Sequence, residues 1–138
     1  MKRAIILAGA LLLSATSAQA RPLEGTNWRT ASGSGTIRIE ACGQRTCGRI
    51  LTGTPKAGET GLDFRNPNPA LRTRELSGMT ILNGFTRQPD FSYKGGTIYN
   101  PEDGKTYRSA FKLKRDGNLE VKGCVGPFCQ TQVWTPIR

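Results

Sequence analysis

Histidine is absent from all 138 residues, which removes the commonest general base and the commonest metal ligand together. Acidic residues are scarce, 10 against 20 basic, and only Glu102 and Asp103 are adjacent, so paired-carboxylate chemistry of the glycosidase kind has one place to sit. That place reads Pro101-Glu102-Asp103-Gly104, a turn composition in which Asp serves the backbone rather than an acid–base step. Gly95-Gly96 precedes no helix pattern and is no phosphate loop. Aromatics make up 7% of the chain, and most fall on inward strand positions, leaving no stacking platform for nucleic acid. The expectation is a non-enzymatic protein with no cofactor, no metal and no nucleic-acid partner.

Long apolar runs are also missing after residue 20. The one before it, Ala4–Leu13, is shorter than the roughly 20 residues a bilayer span requires. With Lys2-Arg3 ahead of it and Ala18-Gln19-Ala20 behind, it reads as a secretory signal cut after Ala20. The product expected is a single domain, residues 21–138, in the periplasm or secreted, with no transmembrane segment. Without Lys2 and Arg3 it carries 18 basic and 10 acidic residues, a net charge of +8. Such a surface attracts anionic envelope components. The basic residues are scattered, however, and the densest group, Lys112, Lys114 and Arg115, sits beside Asp116 and Glu120.

Four cysteines form two close pairs, Cys42/Cys47 and Cys124/Cys129. In an exported chain an even count reads as disulfides, formally in any of three connectivities. Register favours the local pairs. With Cys42 opposite Cys47, Glu40 meets Arg49 and Ile39 meets Ile50. Each such loop contributes roughly 2 kcal/mol in the chain-entropy account. The rival reading is a four-thiolate zinc site, whose ligands usually stand two to four residues apart in a reducing compartment.

What the chain does have is strands. Gly96–Cys124 reads as three antiparallel strands. A hairpin loop at Arg115-Asp116-Gly117, with Gly117 left-handed, places Leu113 against Leu119, Lys112 against Glu120 and Phe111 against Val121. The turn at Pro101–Gly104 places Ile98 against Tyr107. Thr36–Ala41 alternates as a half-buried strand and returns as Cys47–Thr52. Met79–Phe85, with a bulge or bend at Gly84, Phe91–Tyr99, Gln130–Pro136 with Trp134, and a short entry around Trp28 complete eight strands. Short strands at this spacing predict an all-β, eight-stranded antiparallel up-and-down barrel.

Extending the register through Cys124/Cys129 puts Leu119 opposite Trp134 and Val121 opposite Gln132. Gln130, Gln132 and Trp134 then face inward alongside Tyr107, Ser109 and Phe111. Aromatics mixed with amides and hydroxyls suit a pocket for a small apolar or amphipathic ligand, so Tyr107, Ser109, Phe111, Gln132 and Trp134 are candidate ligand-lining residues. The Pro- and Asn-rich loop from Gly53 to Pro69 and beyond is the candidate mouth, with Asn66, Asn68 and Arg72 as its candidate binding groups. One helical turn, capped by Asn68 with Pro69 first, is expected within it.

Four motifs, C-G-x-x-x-C-G-R-I at Cys42–Ile50, N-P-N-P-A-L-R-x-R at Asn66–Arg74, G-x-T-I-L at Gly78–Leu82 and G-x-I-Y-N-P-E-D-G-K-T-Y at Gly96–Tyr107, resemble the bacterial exported family called domain of unknown function 2147. The resemblance spans nearly all of Glu24–Ile137. It implies a lipocalin-like barrel with no established activity and carries over no catalytic residue. The start Gly25-Thr26-Asn27-Trp28 has one more residue between Gly and Trp than lipocalin-like chains usually have. Two functions follow as expectations: a small-ligand carrier, or a solid basic barrel that docks to anionic envelope components or a partner protein.

Overall fold

The computed structural model describes residues 9, 21–53 and 61–138. Apart from residue 9, the signal-type segment with its cleavage site lies outside the described residues, as does the part of the long loop at 54–60. The described chain contains eight strands: β1 (Asn27–Arg29), β2 (Gly35–Cys42), β3 (Arg45–Gly53), β4 (Thr80–Arg87), β5 (Ser92–Asn100), β6 (Lys105–Leu113), β7 (Leu119–Val125) and β8 (Phe128–Ile137). Each pairs antiparallel with the next, and β1 pairs with β8, closing an up-and-down barrel. Closure leaves no unpaired edge, which is how so short a β1 is held. Among the described residues no helix is long and apolar enough to cross a membrane.

The β6–β7–β8 meander has the register its turn chemistry specifies. Lys114 N–H donates to Asn118 O across the loop and Gly117 has φ 87°. Leu113 then faces Leu119, Lys112 faces Glu120 and Phe111 faces Val121. Through β8, Leu119 faces Trp134, Val121 faces Gln132 and Cys124 faces Cys129. Ile98 faces Tyr107 across β5–β6.

The β2–β3 hairpin departs from the expected register by two residues. Cys42 pairs with Arg45, Glu40 with Cys47 and Ile37 with Ile50. The cause is a tighter turn: Gly43, with φ 62°, takes the first central position of a two-residue hairpin, where a positive φ is required. A shift of two leaves every side chain on its face. The Cys42–Cys47 disulfide and the Arg49–Glu40 ion pair, at 2.7 Å, therefore form on the diagonal instead of directly across. Cys124–Cys129 bridges a directly opposed pair. Gly84 has φ 75°, and the β3–β4 register slips on either side of Gly48, the bend expected of β4.

Packing is concentrated at the end that carries the β2–β3, β4–β5 and β6–β7 turns. There the Phe111 ring stacks on Tyr93 at 4.6 Å between centroids and tilts against Phe85 at 4.7 Å. Ile39, Leu82, Phe85, Tyr93 and Leu119 are fully buried. Residues 21–26 lie across this end. Leu23 N–H donates to the Tyr93 hydroxyl at 3.0 Å, Tyr93 donates to Glu24 Oε2 at 3.1 Å, and Thr46 donates to Glu24 Oε1 at 2.6 Å. Gly25 N–H binds Ile39 O, and the buried Trp28 donates its indole N–H to Thr26 Oγ1. Trp28 is thus part of the core despite its extra residue from Gly25.

Candidate ligand cavity

At the opposite end the barrel is hollow. A cavity of about 670 Å³ opens among the β1–β2 turn, the long β3–β4 loop, the β5–β6 turn and the β7–β8 turn. That lies within the ~300–1,000 Å³ of small-molecule sites. Its wall is apolar in depth, with Ile37 and Ile50 from the β2–β3 pair, Ile98 from β5, Val121 from β7 and Trp134 from β8. Gln130 and Gln132 of β8 and Tyr107 of β6 add the polar groups.

Of the candidate lining residues, the structure places Tyr107, Gln132 and Trp134 on the cavity wall. Trp134 is 1% exposed and forms the boundary with the packed end. Its Nε1 donates to Gln132 Oε1 at 3.0 Å. Tyr107 donates its hydroxyl to Asp103 Oδ2, and that hydrogen bond, with burial and the carboxylate's charge behind it, holds the phenol above its ordinary pKa. Ser109 and Phe111 point inward but do not line the cavity. Ser109 is buried and donates to Lys122 O at 2.6 Å, while Phe111 belongs to the aromatic stack beneath. Same-face alternation identifies inward positions but not their depth along the strand, and depth separates these two from Tyr107.

Three lining features escaped the sequence reading. Gly123 of β7 sits on the wall, where an added Cβ would touch Ile98 and Tyr107 at an ordinary 3.6 Å, so the glycine leaves open space for a larger side chain to fill. Its opposition to the inward Gln130 was the available signal. Phe64 of the long loop and Phe128 at the β7–β8 tip are 42% and 80% exposed and flank the opening. Neither lies in a periodic pattern, so nothing in the sequence pointed to them.

Asn66, Asn68 and Arg72 were expected as mouth-loop binding groups, and the structure places all three in internal bonds of the loop. Asn66 is 6% exposed; its Nδ2 donates to Asp63 Oδ2 at 2.8 Å and its Oδ1 accepts from Asn68 N–H. Asn68 caps the single 3-10 turn Pro69–Leu71 by accepting from Ala70 N–H. Arg72 Nε donates to Asn66 O at 2.8 Å. The hub of the loop is Asp63, wholly buried, which also accepts from Arg74 at 2.8 Å and from the Tyr99 hydroxyl. Burial, then the Asp63 hydrogen bond and charge, push the Tyr99 hydroxyl up to about 12. The loop also passes so close to the β5–β6 turn that a Cβ on Gly104 would lie 1.9 Å from Arg65 O. It is a built wall.

The densest group of basic residues on the exterior has acidic neighbours. Lys112 and Lys122 flank Glu120, and Lys114 reaches Asp116 at 3.4 Å. The cluster Glu40, Cys42 and Cys47 comes close enough to resemble a metal site, but its two sulfurs are joined in the disulfide and offer no thiolate.

Among solved structures, the chain is similar to protein HP1028 from the human pathogen Helicobacter pylori, described as belonging to the lipocalin family. The two share 25% identity over 86% of this chain and 85% of that one, with a TM-score of 0.73. No curated protein matches. The fold is therefore lipocalin-like, in agreement with its closed eight-strand ring. The family described as uncharacterized protein conserved in bacteria, DUF2147, matches residues 26–136, and this chain belongs to it.

Proposed function

We propose that this is an exported, non-enzymatic protein that holds one small apolar or amphipathic molecule in the open half of its barrel. The observation that carries this reading is the cavity of about 670 Å³, with Ile37, Ile50, Ile98, Val121 and Trp134 on its wall and polar side chains of the surrounding turns at its rim. A solid docking module would have no use for an unfilled end. Export is supported by two disulfides, which persist in oxidising compartments. A binding role without catalysis is supported by the residues at hand. All four cysteines are bonded. Asp103 is engaged as a turn former, accepting from Lys105 N–H and from Tyr107.

The test is a titration with the neutral fluorophore N-phenyl-1-naphthylamine. One-to-one binding is expected, with energy transfer from Trp134, and Gly123→Phe should abolish it by filling the space beside Ile98 and Tyr107. Binding unaffected by Gly123→Phe would place the fluorophore elsewhere and remove the reading.

A further inference from the structure

We infer that the cavity selects uncharged ligands with a hydrogen-bond acceptor beside an apolar chain, and that Gln132 is the side chain that reads the acceptor. This rests on the binding role proposed above and sharpens it to a chemical class.

The argument begins at the Trp134–Gln132 hydrogen bond, 3.0 Å from Nε1 to Oε1. An amide's oxygen and nitrogen are ordinarily interchangeable in position, but an indole N–H can only donate. Gln132 must therefore turn its oxygen to Trp134, and its NH2 is left over. Among the described residues no acceptor meets that NH2. Gln132 lies opposite Val121 on the cavity wall, with both residues lining it. A donor that no protein group engages therefore stands on the water-accessible cavity wall, opposite Val121, between Trp134 and Gln130 on the same face of β8. An apolar ligand that covered it without an acceptor would strand a donor away from water, which is the basis of strong discrimination in polar sites.

Charge supplies the second half. The protein as a whole is strongly basic, with 20 Lys and Arg against 10 Asp and Glu, so its long-range field favours anions. The cavity is different. Among the described lining residues the charged ones are Arg65, Glu102 and Asp103, all at the mouth, with carboxylates outnumbering the guanidinium. A carboxylate drawn down to Gln132 would be desolvated with no cation beside it, a costly arrangement. A carboxylate left at the mouth would meet two carboxylates, Glu102 and Asp103, against the one guanidinium of Arg65. An amide, ester or ketone meets neither penalty and can accept from Gln132.

The experiment displaces N-phenyl-1-naphthylamine from the protein at neutral pH with decanamide, decanoate and decylammonium, which share a chain and differ in the head. Decanamide is expected to displace the probe at about tenfold lower concentration than decanoate. Gln132→Glu keeps an oxygen for the Trp134 indole and exchanges the donor for a negative charge. With each displacement referred to the probe's own affinity for that variant, it should erase the decanamide preference and favour decylammonium. Decanoate matching or beating decanamide on the unaltered protein would overturn the inference while leaving the binding role intact, as would an unchanged preference in Gln132→Glu. Failure of the probe to bind the unaltered protein would take down both.

Discussion

The two ends of the barrel are made from the same strands and treat their inward positions in opposite ways. At the closed end, glycine brings rings and backbone together: a Cβ on Gly96 would lie 2.5 Å from the Phe85 ring, and one on Gly48 would lie 2.7 Å from Leu82 Cδ1. Both side chains are fully buried against those bare backbones. At the open end a Cβ on Gly123 would meet the Ile98 and Tyr107 side chains only at an ordinary 3.6 Å, and the position faces the cavity. The polar groups divide likewise. Glu24 at the closed end is spent on Thr46 and Tyr93; burial raises its pKa, but those hydrogen bonds, with backbone bonding and Arg87, outweigh burial and hold it below its ordinary value. Gln132 toward the open end keeps a donor in hand. Packing is thus concentrated at one end and open space at the other.

The largest test of that division is Phe111→Ala. Removing a ring that is 2% exposed and stacked on Tyr93 should cost about 3–5 kcal/mol in denaturant unfolding. A loss below about 1 kcal/mol would mean that the stack is not what holds the closed end.

Next in size is Asp63→Ala, which strips the shared acceptor from Tyr99, Asn66 and Arg74. With Arg74 42% exposed and able to rehydrate, the loss should be about 1–3 kcal/mol. It should also be local. Hydrogen exchange should quicken at the Asp63 and Leu76 amides, which bond to Arg74 O and Gly61 O, and stay slow across β6 and β7. Uniform acceleration would show that the two ends melt together.

A smaller, pH-dependent effect separates the same regions. Folded Tyr99 keeps its proton to about 12, against an ordinary 10. Between those values the unfolded chain binds fewer protons than the folded one, so this contribution to stability is intact below pH 10 and drains away as pH climbs toward 12. Tyr93, raised mainly by burial at the closed end, shifts the same way. Tyr99→Phe should therefore flatten part of the alkaline fall in the urea midpoint and leave the rest. An unchanged slope would assign the alkaline fall to Tyr93 and Tyr107 instead.

The smallest expected effect is at the rim. Phe128→Ser replaces a side chain that is 80% exposed and should move the unfolding midpoint by no more than about 0.5 kcal/mol. A larger loss would reveal packing at the tip and blur the contrast between the ends.

Much of the closed end and the whole β6–β8 meander could be read from the residues, because turn chemistry and two-residue alternation constrain each other there. The Gly117 loop locks Leu113 to Leu119, and each later pairing through Trp134 follows from it. The β2–β3 register could not be read the same way. Shifting it by two preserves both faces and keeps Glu40 near Arg49, so only the choice of turn at Gly43 decides it. The site was legible in part. Tyr107, Gln132 and Trp134 share a face with Ser109 and Phe111, but a period of two carries no information about which level of the barrel is filled. The mouth loop was legible in its helical turn at Asn68–Pro69 and opaque in its purpose. The role of Asp63 depends on Tyr99, which is distant in sequence and reaches it only through the closed sheet.

The most direct measurement of the central claim is a crystal structure with 10-bromodecanamide, locating the bromine by its anomalous scattering. The account predicts one site inside the open end, with the amide on Gln132 and the bromine within the volume that Ile37, Ile98 and Val121 enclose. Side chains of the mouth loops collapsed into that volume, with bromine only on the outer surface, would contradict it.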